Sequence, residues 1–72
     1  MTKSIIAENI GRIIDERGLK KRAVAERAGF SKSQFSAMLN NRRIIRDSDV
    51  IAIANALNVS PNELFGYNPD NR

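Results

Sequence analysis

The chain has no cysteine and no histidine among its 72 residues. Without cysteine there is neither a disulfide framework nor a thiolate metal site. Without histidine the commonest general base and the commonest metal ligand are both missing. No apolar run approaches the length of a membrane span, and the start MTKSIIAENI has neither the length nor the flanks of a signal peptide. That points to an intracellular protein with no membrane partner. No strand-type alternation, repeat or low-complexity segment is present. Carboxylates occur close together at Asp15-Glu16 and at Asp47 and Asp49. No nucleophile or base accompanies them, and on helices that spacing means solvated faces or caps. Neither catalysis, nor a metal, nor a cofactor, nor a small-molecule ligand is therefore expected. The length suits one domain with a small core.

What is there is concentrated in residues 21–40, KRAVAERAGFSKSQFSAMLN. They read as two short helices broken by one tight turn. Val24 and Ala28 before the bend, and Phe35 and Met38 after it, fall at spacings that bury one face of each helix. Ala25 is small where the two helices must approach closely. Gly29 tolerates the left-handed backbone that ends a helix abruptly. Ser31 suits an N-cap, and Gln34 three residues on completes a capping box. The second helix thus starts at a defined residue, which fixes the side chains it turns outward. Two helices at a steep angle about a glycine-containing turn form a helix-turn-helix, whose second helix probes the DNA major groove.

Charge follows the same boundary. Residues 17–46 hold nine basic side chains against a single acidic one, Glu26, while the segments on either side are slightly acidic. A polyphosphate partner requires such a concentration. An anionic membrane is a poorer fit, because the charges do not line one face of a helix opposite a broad apolar face.

The rest reads as helical scaffold. Ile6, Ile10, Ile13 and Ile14 follow amphipathic spacing within residues 5–17, and Gly18 ends that helix. Val50, Ile53, Ala54 and Leu57 do the same within residues 47–57, with Asp47 or Ser48 expected as the cap and Asn58 as the stop. Ser60-Pro61-Asn62-Glu63 combines a cap, a proline at the first helical position and a capping-box glutamate. Leu64 and Phe65 close that short helix, with both expected in the core, and Gly66 stops it. The expectation is an all-α, compact five-helix domain over residues 1–66, followed by a polar, frayed tail over residues 67–72.

These motifs resemble the lambda repressor and Cro-type helix-turn-helix proteins, the XRE family, over residues 5–65 without a gap. The resemblance lies in Leu19, Val24-Ala25, Ala28-Gly29, Ser31 to Ser36, and Ala56-Leu57-Asn58-Val59-Ser60. It departs at Lys20-Lys21, where the family usually has Thr-Gln, and at Asn40-Asn41, where it has Asn-Gly. Ile45 stands where a proline is frequent. Ile14 and Leu39 stand where the family often pairs an arginine with a glutamate. An apolar pair replaces a buried ion pair at little cost, so these two residues are expected to touch.

The resemblance implies a lambda-repressor-like fold and sequence-specific binding of double-stranded DNA by helix 3, about residues 32–39. It implies that Lys32, Ser33, Gln34, Ser36 and Ala37 are the candidates for reading bases. Lys20, Lys21, Arg22, Ser31, Asn40, Asn41, Arg42 and Arg43 are the candidates for gripping phosphates. It further implies a small cytoplasmic transcriptional regulator of bacterial or phage origin, most simply a repressor. Such a protein would be a weak homodimer on an inverted-repeat operator, and Leu64, Phe65 and Tyr67 are the available apolar surface for pairing. The alternative is an antitoxin-like or other protein-interaction module built on the same helices. That reading needs an exposed apolar patch outside the core stripes, and none is evident in the sequence.

Overall fold

A computed structural model describes residues 4–66; the expected tail and Tyr67 lie outside the described residues. Five helices follow in order: α1 (Ile5–Arg17), α2 (Lys21–Ala28), α3 (Lys32–Leu39), α4 (Asp47–Leu57) and α5 (Pro61–Phe65). No strand occurs among the described residues. The all-α, five-helix expectation is met.

Most boundaries have a chemical cause. Ser4 caps α1 by accepting the Ala7 N–H, and Gly18 closes it. Asn58 takes the left-handed conformation at the end of α4, with φ of 60°. The start of α4 differs from expectation. Its cap position is Arg46, and helix begins at Asp47. The Asp49 carboxylate reaches back to accept the Arg46 N–H at 3.0 Å, so an acidic side chain inside the first turn does what a polar cap would otherwise do. Glu63 treats the Ser60 N–H in the same way at 3.0 Å, with Pro61 at the first helical position of α5.

α2 packs mainly on α4, α1 on α5, and α3 against α1 and α2. The core is one apolar cluster built on Ile10, Ile13, Ile14, Val24, Ala25, Phe35, Met38, Val50, Ile53, Ala54, Leu57 and Leu64. Ile14 is fully inside it, and Leu39 is partly buried against it, so both serve the same apolar cluster. The α1 stripe is turned slightly from the expected one: Ala7 is buried and Ile6 only partly. Ala28 is likewise partly buried.

α5 also corrects an expectation. Leu64 is fully buried, whereas Phe65 is 50 % exposed. Successive residues on a helix point about 100° apart, and α5 turns Leu64 rather than Phe65 into the core. Arg17 leaves the surface charge pattern for structural work, donating from Nη1 to the Leu57 carbonyl at the end of α4. That free C-terminal carbonyl carries partial negative charge, which a guanidinium satisfies.

Candidate nucleic-acid interface

The turn between α2 and α3 is set by Gly29, whose φ is 85°. Its N–H and that of Phe30 return to the Glu26 and Ala25 carbonyls, closing α2. Ala25 is buried under the turn with 1 % of its surface accessible. Ser31 then opens α3: its hydroxyl accepts the Gln34 N–H at 3.1 Å, and Gln34 Oε1 accepts the Ser31 N–H at 3.0 Å. This reciprocal cap holds the rotation of α3 about its axis. Phe35 and Met38 anchor the inner face, while Lys32, Ser33, Gln34 and Ser36 are exposed and Ala37 is half-exposed.

α2 begins differently. Lys20 occupies its cap position and supplies no side-chain cap bond. The first-turn N–H groups of α2 therefore receive no acceptor from the cap side chain, and Lys20, Lys21 and Arg22 beside them are exposed. Arg22 lies 3.9 Å from Glu26, both largely solvated, a contact of little energetic weight.

A groove of about 510 Å³ runs between α1, the start of α2 and α3. Lys21, Arg22, Lys32, Ser36, Asn40 and Asn41 share its lining, so six of the thirteen candidate residues surround one depression. Ser33, Gln34 and Ala37 lie outside it along α3, and Lys20 and Ser31 lie at helix starts. Arg42 and Arg43 line a second hollow, shared with Ser4 and Asn41, in the segment after α3.

The two asparagines after α3 are oriented oppositely. Asn40 Nδ2 donates to the Ser36 carbonyl at 2.9 Å and to the Ser36 hydroxyl at 3.3 Å. A carbonyl only accepts, so the amide nitrogen of Asn40 is the atom turned inward. Asn41 Oδ1 accepts the Ser4 N–H at 2.9 Å, so here the amide oxygen is the engaged atom. Asn41 has φ of 61°, a left-handed value that favours glycine.

The family model of the Cro/C1-type HTH DNA-binding domain matches residues 9–70. The chain belongs to this family. No curated protein and no solved structure matches it.

Membership makes the chain a double-stranded DNA-binding domain of a family defined by DNA binding rather than by catalysis. Within this Cro/C1-type domain, the sequence missed two features of the interface region. The Arg17 bond to α4 takes one of the nine basic side chains for structure; nothing in the local sequence of Arg17 signals a partner 40 residues away. The Asn41 amide orientation depends on a contact with Ser4, 37 residues distant, whereas that of Asn40 is set by Ser36. No helix among the described residues is long and apolar enough to cross a membrane.

Proposed function

We propose that the protein is a small transcriptional regulator, most simply a repressor, that seats α3 in the major groove of its operator. Residues 1–66 act as the DNA-binding unit. Lys32, Ser33, Gln34, Ser36 and Ala37 face the base edges, where lysine donates to guanine and serine pairs weakly with any base. Lys20, Lys21, Arg22, Ser31, Asn41, Arg42 and Arg43 grip phosphates, joined by the uncapped N–H groups at the start of α2. Asn40 contributes less than its neighbour, because its donors serve Ser36.

The observation that carries this reading is the exposed row of short polar side chains on α3, held in rotation by the Ser31–Gln34 box and set inside the basic segment. A helix that served only the core would have no use for a fixed outward face flanked by cations.

One such helix reads only a few base pairs, so the protein acts as a homodimer on an inverted repeat. Half-sites lie about 34 Å apart along one face of B-DNA. The domain measures 36 × 28 × 22 Å, which suits two copies side by side at that spacing. Exposed Phe65, and Ile5 beside the end of α5, offer a small apolar surface for weak pairing.

The test is retention of genomic DNA fragments across a salt series, followed by sequencing. The expected result is log affinity falling with log salt by about 0.9 per phosphate contact, with a short inverted repeat enriched. No retention at low salt contradicts the reading and turns attention to a protein partner.

A further inference from the structure

Ile44 is 81 % exposed, more than any other large apolar side chain among the described residues. Its neighbour Ile45 is partly buried and packs on the core, so the segment leaving α3 turns one isoleucine in and one out. That segment is pinned, which leaves Ile44 no route to the core. Asn41 holds the Ser4 N–H, the Arg42 N–H reaches the Ala37 carbonyl at 2.8 Å, and the Arg46 N–H meets the Asp49 carboxylate. An aliphatic side chain left in water forgoes the stabilisation that a covered one supplies.

The surroundings of Ile44 are cationic. It lines one hollow of about 420 Å³ with Arg42 and Arg43, beside Ser4 and Asn41. No carboxylate lines that hollow, and among the described residues neither arginine is paired with one. The acidic side chains that follow, Asp47 and Asp49, belong to the first turn of α4, where Asp49 serves the Arg46 N–H.

This combination decides between occupants. A second copy meeting Ile44 to Ile44 sets Arg42 and Arg43 against their own counterparts, and like charges oppose that contact. An apolar protein partner buries the two guanidiniums without acceptors. A DNA strand offers both halves of the match: phosphate oxygens for the arginines and deoxyribose C–H groups for the isoleucine. α3 has 8 residues, about 12 Å of helix, which is about the width of the major groove. With its first residues on base edges, the chain leaving its other end runs beside a strand of the groove wall.

Resting on the DNA-binding reading above, we infer that Ile44 packs on the deoxyribose face of the strand whose phosphates Arg42 and Arg43 hold. It supplies an apolar share of the affinity that salt does not weaken.

The experiment titrates the native chain and Ile44→Ala, across a salt series, with the duplex enriched in the selection above and with a duplex carrying one half-site. Ile44→Ala is expected to weaken binding about fivefold at every salt concentration, as removing three carbons from a partly covered position does. The salt slope stays the same, because no counterion release depends on Ile44. The single half-site loses the same factor. Sedimentation of the free variant shows unchanged self-association, and its melting temperature holds because Ile44 lies outside the core. An isotope-filtered NMR spectrum of the native complex, which needs no variant, shows Ile44 methyl protons beside deoxyribose protons.

Native binding with Ile44→Ala at full affinity overturns the inference and leaves DNA binding in place. A loss confined to the two-half-site duplex, or weakened self-association, overturns it by assigning Ile44 to a second copy. A reduced salt slope overturns it by making Ile44 a support for the arginines. Ile44 methyl protons with no deoxyribose neighbour overturn it directly. No binding of the native chain at low salt overturns the underlying reading and the inference together.

Discussion

The Asn41 side-chain oxygen accepts the Ser4 N–H at 2.9 Å, joining the start of α1 to the turn that leaves α3. Asn41 does this from a left-handed backbone, with φ of 61°. Two substitutions separate the hydrogen bond from the backbone strain. Asn41→Gly removes the bond, worth about 1 kcal/mol, and relieves a conformation costing a side chain about 1 kcal/mol or more, so stability stays nearly level. Asn41→Ala loses the bond and keeps the strain, with an expected loss of about 1–2 kcal/mol. Urea unfolding of both variants checks the difference. Equal losses would show that backbone conformation has no part in it.

Gly11 sits within α1 with open space where a Cβ would stand. Glycine inside a helix costs about 1 kcal/mol relative to alanine. Gly11→Ala is therefore expected to stabilise the domain, raising the melting temperature by about 4–8 °C for each kcal/mol gained in a domain of this size. A lower melting temperature would mean that the groove above Gly11 is closed in solution.

The reciprocal cap of α3 is open to a similar measurement. Ser31→Ala removes the hydroxyl that accepts the Gln34 N–H, with an expected loss of about 1 kcal/mol. If α3 is the DNA-contacting element, affinity falls as well, because the rotation of the helix loosens. Calorimetric melting and DNA titration of the same variant compare the two effects.

Ile14 and Leu39 belong to one apolar cluster, and direct contact between them is tested by a charge cycle. Ile14→Arg alone places an unpaired charge at a site 1 % exposed, with an expected loss of about 3–5 kcal/mol. Leu39→Glu alone costs less, since that position is only half-buried. If the side chains meet, the double variant recovers about 0.5–3 kcal/mol of the summed losses. Purely additive losses would place them out of reach of one another.

The helices themselves were legible because local signals agreed: apolar spacing, left-handed stops at Gly18, Gly29 and Asn58, and the boxes at Ser31 and Ser60. Features set by distant contacts were less so. The cap of α4 fell at Arg46 because Asp49 bonds backward, where Asp47 and Ser48 looked like better caps in isolation. Phe65 was expected inside and is half outside, since packing against α1 decides which of two adjacent apolar residues α5 buries. At the interface, the identities of the outward residues were readable from helical spacing. Their hydrogen-bonding polarity was not, because it depends on which atom of Gln34, Asn40 and Asn41 is engaged inside the protein.

Phosphate contacts act uniformly across sequences. Lys21→Ala and Arg43→Ala are each expected to weaken binding to all duplexes alike and to reduce the salt slope by about one. An effect confined to one sequence would place the residue at a base edge instead.

The insertion of α3 is tested most directly by a tethered cleaving reagent. The native chain has no cysteine, so Ser33→Cys supplies a single thiol on the exposed face of α3 for an iron chelate. Bound to its selected duplex, the labelled protein is expected to cut within each protected half-site. Retained binding with cuts only outside the half-sites, or with no cuts, would contradict the placement of α3 in the groove.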